Sequence, residues 1–190
     1  MPVLVKEWSF NLKYFEALKT SMSWLGEKKD TIFIGQAVGV PGTGMYNTLN
    51  GQVDRSKLYE LPVAEEMQMG MSLGLSLTGK VVVSIFPRWN FLLCGMNQLI
   101  NHIDKFPEMA PQWKKKNLII RTAVGSERPL FPQHQHIGDF SEMISNMASN
   151  INVVRLYEAN EVFESYKEAY NAPEGTVSLI VEFGDFYNEK

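Results

Sequence analysis

Two adjacent carboxylates, Glu65 and Glu66, stand at the head of a stretch with helical apolar spacing, Glu65 to Leu77. An acid there can simply answer the positive end of the helix dipole, worth about 0.3–1 kcal/mol per residue. It can also exchange a proton with a ligand if a poorly hydrated pocket holds it. Adjacent helical residues point about 100° apart, so only one of the pair can face a given ligand. Arg88, just after an apolar run ending at Phe86, either grips a carboxylate or phosphate through paired hydrogen bonds or is a plain surface charge. His134 and His136 would lie on one side of an extended chain, which could begin a metal site. Without a convincing third ligand they read as ordinary polar histidines, and no metal site is assigned.

Several familiar arrangements fail. GLSLTGKV, with Gly74, Gly79 and Lys80, nearly matches a phosphate-binding loop. Val81 replaces the hydroxyl residue that should hold magnesium, and the segment runs helix to strand, the reverse of what the motif requires. The glycines of Gly35 to Gly44 miss the dinucleotide pattern G-x-G-x-x-G. There is no CxxC, HExxH or G-x-S-x-G, so hydrolase and zinc-enzyme readings lack support.

The elements that must position these residues alternate. Residues 10–27 have the spacing of an amphipathic helix, with Leu12, Phe15, Leu18, Met22 and Leu25 on one side. Strands are expected at Thr31–Gly35, Lys57–Leu61, Val81–Phe86, Leu118–Thr122, Val153–Leu156 and Val177–Phe183. Helices are expected at Glu65–Leu77, Phe91–Lys105, Phe140–Ala148 and Asn160–Tyr170. Gly35 to Gly51 carries five glycines and a proline, too dense for a regular element and a candidate site wall. Gly70 and Gly74 weaken their helix by roughly 1 kcal/mol each, which predicts close backbone packing there. Such alternation implies an α/β fold: a single doubly wound domain over residues 1–190, with a mostly parallel sheet covered by helices on both faces.

A chain of 190 residues, 45% hydrophobic and 21% charged, suits one globular domain. The net charge of -3 argues against nucleic acid as a partner. The one basic run, Lys114 to Lys116, reads as a solvated loop before a strand. No stretch suits a membrane span, and Cys94 has no partner for a disulfide; the cytoplasm is the expected compartment.

From Gly35 onward the chain resembles the pyrimidine-binding domain of transketolase-like thiamine-diphosphate enzymes, most closely the beta subunit of the 2-oxo acid dehydrogenase first component. The strongest stretch is Leu61 to Asn101, with Pro62, Glu65, Gly70, Gly74, Gly79, Phe86, Asn90, Phe91 and Gln98 in the family's order; Gln133 and His134 match its Gln-His pair. The resemblance implies that Glu65, by register, bonds the aminopyrimidine N1′ and favours the imino tautomer that activates the cofactor. It offers Phe91 as the aromatic packed on that ring. Phe86, a second cofactor-binding candidate, also reads as structural, like Trp89. His134 is implied to handle substrate or intermediate, and Asn90 is a candidate helix cap.

Departures matter too. Gln36 stands where the family usually has an acid, so no ionisable role passes to it. Pro87 and Arg88 replace smaller or neutral residues, which points to an anionic substrate contacted by Arg88 and His134. Gly138-Asp139-Phe140 and Gly184-Asp185-Phe186 lack the second glycine of the G-D-G motif, and the chain ends soon after its last strand, without the family's C-terminal domain. The resemblance therefore implies a partner subunit that carries G-D-G and holds magnesium, a heterotetramer, and a small 2-oxo acid or ketose substrate. It implies transketolase-like two-carbon transfer or 2-oxo acid decarboxylation with acyl transfer. The alternatives are a beta-type subunit of a 2-oxo acid dehydrogenase and a non-catalytic regulatory or scaffold subunit. The lost C-terminal domain favours a free-standing transferase or decarboxylase. Because Met67, Met69 and Met71 cannot all face inward on one helix, an apolar surface is expected.

Overall fold

The computed structural model describes residues 12–127 and 131–188. Six strands, β1 (Thr31–Gly35), β2 (Leu58–Glu60), β3 (Val81–Phe86), β4 (Leu118–Val124), β5 (Ile151–Arg155) and β6 (Val177–Phe183), form one parallel sheet. Its order is β2-β1-β3-β4-β6-β5. Every residue of β3 and β4 is buried, as parallel strands covered on both faces must be. Side chains alternate along β3, with Val83 and Ile85 in one core and Val82 and Phe86 in the other. Helices α1 (Tyr14–Gly26), α2 (Gly44–Leu49) and α7 (Ala159–Asn171) supply the first core. The second takes α3 (Glu65–Leu77), α4 (Trp89–Leu92) and α6 (Ser141–Met147), while the short α5 (Phe106–Met109) precedes β4. Of the helix expected over residues 10–27, the first two positions lie outside the described residues.

Four local expectations are corrected. The glycine-rich segment 35–51 contains α2, whose start is capped by Thr43: its Oγ1 accepts from the Tyr46 N–H at 3.1 Å. The helix expected over Phe91–Lys105 is broken. It begins at Trp89, tightens at Leu93–Gly95 and widens into a π-type turn at Gln98–Ile103, where the Asp104 N–H reaches the Leu99 carbonyl at 2.9 Å. Gly70 and Gly74 need no close packing: a Cβ at Gly70 would make ordinary contact with Gln98, and at Gly74 it would meet open space. The basic run is not wholly solvated, because Lys115 is only 5% exposed.

Helix α3 buries a polar face. Glu65, Gln68, Ser72 and Ser76 point inward with Met69, while Met67 and Met71 are 44% and 39% exposed. The expected methionine surface is present, extended by the exposed Val63. A surface helix normally does the opposite. Among the described residues, no helix is long and apolar enough to cross a membrane.

Beneath the carboxyl ends of β4 and β6 lies a buried ion pair. Arg121 donates from Nε to Glu182 Oε1 at 2.6 Å, from Nη2 to Oε2 at 3.0 Å, and from Nη1 to Thr48 Oγ1 at 2.9 Å. The hydroxyls of Tyr166 and Tyr187 donate to the same carboxylate, which ties α2, α7 and the final turn to the sheet. Burial first, and the Glu182 charge second, push both phenols well above their ordinary range. A folded-state value raised in this way adds stability that is fully present below about pH 10 and is lost above it, where the unfolded chain gives up protons first. Urea titrations should therefore show stability falling above about pH 10, by up to about 1.4 kcal/mol per pH unit for each phenol. Tyr166→Phe should be less stable at pH 8 but show a shallower alkaline decline.

Candidate functional site

A doubly wound sheet opens a crevice outside the carboxyl ends of its strands where the order reverses. Here that point lies between β1, which leads outward to β2, and β3 on its other side. Gly35 closes β1 with φ +134°, and a Cβ there would meet the Ile85 carbonyl at 2.3 Å and Gln68 Nε2 at 2.6 Å, so no other residue fits. The chain then curls around a carboxylate. Glu60, at the end of β2, accepts the N–H groups of Ala37, Val38 and Gly39 at 3.0, 2.8 and 2.6 Å. Ala37 takes φ +58° to allow this, and Arg55 Nη1 braces the Gly39 carbonyl at 2.8 Å.

This loop presents Gln36, whose Nε2 donates to Glu65 Oε1 at 3.1 Å. Glu65 is 8% exposed at the first turn of α3. Among the described residues no donor reaches its Oε2, which leaves one carboxyl oxygen for a ligand. One turn on, Gln68 Nε2 donates to the Ile85 carbonyl at 2.9 Å and to Ser84 Oγ at 3.1 Å, pinning α3 to β3. On the far side of Glu65, a Cβ at Gly95 would come within 3.2 Å of its carbonyl oxygen, so the break after α4 admits the helix end closely. Glu66 points elsewhere. It is exposed and accepts from Asn97 Nδ2 at 2.7 Å and Gln98 Nε2 at 3.3 Å, bonds that hold its carboxyl below the usual range, Asn97 first.

Arg88 and Phe91 line a cleft of about 550 Å³ at the same edge of the sheet, with Thr43, Asn47, Ser126 and Tyr187. Among the described residues no acidic side chain lines it, and the Arg88 guanidinium has no hydrogen-bond partner. Phe86 is fully buried in the second core, with no surface to offer a ligand, which favours its structural reading. Asn90 does not cap α4, since Arg88 holds the cap position; its Oδ1 instead meets His136 Nδ1 at 2.9 Å. His136 also approaches Phe91, with ring centres 5.7 Å apart, whereas His134 is exposed and meets Phe131 at 5.2 Å. The structure thus joins Gln36 to Glu65, and His136 to Asn90 and Phe91. Neither Glu65 nor His134 lines the cleft. Sequence reading passes over Glu60 and favours the other histidine. An acid closing a short strand after a glycine-rich loop was the only available sign of the first.

The six-stranded parallel sheet defines a transketolase-like thiamine-diphosphate fold, of the kind seen in a solved structure described as a split gene transketolase in an inactive beta4 tetramer. That chain superposes with a TM-score of 0.68 at 16% identity, over 91% of this chain and 52% of the other. In sequence the chain is a weak homologue of the pyruvate dehydrogenase E1 component subunit beta, mitochondrial, of Saccharomyces cerevisiae. The two are 25% identical over 168 residues, 86% of this chain and 45% of the relative. The chain therefore spans about half the length of the proteins it matches. No model of a known protein family matches it.

Bonds from N–H groups to a carboxylate contribute about 1.5–3 kcal/mol each. Glu60→Gln should accordingly speed amide hydrogen exchange at Ala37, Val38 and Gly39 by about tenfold or more, while the amides of β1 and β3 stay protected. Unchanged exchange at the three positions would mean that the loop holds itself.

Proposed function

We propose that this chain is the pyrimidine-binding subunit of a heteromeric thiamine-diphosphate enzyme that makes or breaks a carbon–carbon bond next to a carbonyl. The observation that carries this reading is the buried Glu65, fixed by Gln36 and left with one open oxygen at the reversal point of the sheet. Such a carboxyl suits a ring nitrogen, and the half-buried Phe91 offers an aromatic face nearby on the sheet's carboxyl edge. Bound thiamine diphosphate supplies the carbanion chemistry. Glu65, with Oε1 held by Gln36, presents its open Oε2 to the ring nitrogen. Gln36 keeps the carboxyl from turning away. A silent scaffold has no reason to bury an acid there.

The similarity to an E1 subunit beta and to a split gene transketolase supports a partner subunit that holds the diphosphate and magnesium. The exposed face of Val63, Met67 and Met71 beside Glu65 is where that partner or a second copy closes the site, and a heterotetramer is the expected assembly. Arg88 is the substrate contact. As the one charged group lining the cleft among the described residues, it suits the carboxylate of a 2-oxo acid or the phosphate of a ketose phosphate. His134, exposed at the loop, closes over substrate only in the assembled enzyme. The yeast E1 beta similarity supports a second reading, a beta-type subunit of a 2-oxo acid dehydrogenase. Turnover that strictly requires a lipoylated acceptor selects it, and turnover without one selects the free-standing transferase or decarboxylase.

With the copurified partner, Glu65→Gln should assemble normally but lose roughly 10²–10⁴ of turnover, and Glu66→Gln far less. The reverse order would move the register by one residue. Arg88→Ala should raise KM for the anionic substrate about tenfold or more, with kcat changed little. In calorimetry, magnesium-dependent thiamine diphosphate binding should need both chains. Tight binding by this chain alone would defeat the proposal.

A further inference from the structure

At the opposite edge of the sheet, the amino ends of β4 and β6 border two adjoining concavities of about 430 and 360 Å³ that share Lys115, Pro107, Glu174 and Gly175. Lys115 lies between two ordinary lysines yet is 5% exposed, and its Nζ donates to the Gly175 carbonyl. The structural reading is a cap on the turn before β6, and that bond does support the turn. It leaves the ammonium badly served, because among the described residues no carboxylate pairs with it. Glu174, in the same concavity, is committed to Lys116 at 2.9 Å. Lys114 also lines the larger concavity, adding a second positive charge, and Glu108 on α5 interacts with Lys105. Desolvation accordingly pushes the Lys115 amine down to about 8.

The walls complete a pattern. Phe106, Pro107, Pro111 and Trp113 are apolar, Lys114 is a cation at the same cleft, and Lys115 is the amine between the two hollows. An acyl phosphate with a short apolar acyl chain matches all three, its phosphate meeting Lys114 and its acyl group the aromatic and proline wall. We propose that Lys115 is an acyl-acceptor site for small acyl phosphates, separate from the glutamate centre. The neutral amine attacks the acyl carbonyl carbon, the bond from that carbon to the phosphate oxygen breaks, inorganic phosphate leaves with the electron pair, and the nitrogen sheds one proton to solvent. The product is an amide, and a positive charge is lost. No oxidant or cofactor is required.

At pH 7.5 an amine with a pKa near 8 is roughly one-quarter unprotonated, against about one in a thousand for an ordinary lysine. The lower basicity of the amine and its confinement take back part of that advantage, which leaves an expected excess of about tenfold. The test treats the native protein with limiting acetyl phosphate at pH 7.5 and maps the chymotryptic peptide that begins after Trp113 by fragment-ion mass spectrometry. Lys115 should be acetylated about tenfold faster than Lys114 and Lys116, and the preference should shrink as pH approaches 10. In urea it should vanish, because it depends on burial. Acetylation confined to Lys114 and Lys116, equal rates at all three, or the same preference in urea would each overturn the assignment. The N-hydroxysuccinimide ester of acetic acid, which transfers the same acetyl group but lacks phosphate, should show a smaller Lys115 preference. An equal one would remove acyl phosphates as the favoured class.

Discussion

The grip of Glu60 on three successive main-chain N–H groups is the constraint from which the candidate site hangs. Without an acceptor, three amides on one short turn would have to be hydrated or paired elsewhere, and a conformation with Ala37 at positive φ would cost about 1 kcal/mol or more with nothing to offset it. With the carboxylate in place, the end of β1 is bound to the end of β2, and Gln36 has one direction to take. Gly35 permits the same turn from the other side, since only its missing Cβ lets the Ile85 carbonyl and the Gln68 amide come so close. Backbone, edge strand and helix thus converge on a single side-chain hydrogen bond, from Gln36 to Glu65.

Helix α3 shows what the sheet demands of its neighbours. Most of its inward residues are polar because the end of β3 offers the buried Ser84 hydroxyl and the Ile85 carbonyl, and a greasy face there would leave the hydroxyl without a partner. Met67 and Met71 lie on the outside, while Met69 is buried with the polar residues. The requirements of the buried network thus leave Met67 and Met71 on the exposed face of α3.

Strands and helices with one dominant period were legible in the sequence. Thr31–Gly35, Glu65–Leu77, Val81–Phe86 and Val177–Phe183 stand where spacing puts them. What spacing hides is long-range. The run after Phe91 has helical periodicity, but α3 crowds it at Gly95 and the helix narrows, then widens. α2 is concealed by glycines that read as loop, although Thr43 is an ordinary cap in plain view. Glu65 and Glu66 part as helix geometry requires, the first buried and the second exposed. Glu60, by contrast, acts on backbone twenty-odd residues away, and His136 owes its place to Asn90, so neither pairing leaves a local trace. Lys115 is the same lesson in reverse, a buried amine concealed within a run of charge.

The glutamine at position 36 has a physical consequence for Glu65. A second carboxyl at 3 Å could not share that buried space with an ionised Glu65, because two like charges in a dry site force one of them to keep a proton. The pair would titrate as a unit, and the proton offered to a ligand would be borrowed from both. An amide removes that coupling. Gln36 donates from Nε2 whether Glu65 is charged or neutral, so the geometry survives a change in protonation. Held by a neutral donor, Glu65 is anchored at Oε1 while its Oε2 stays open.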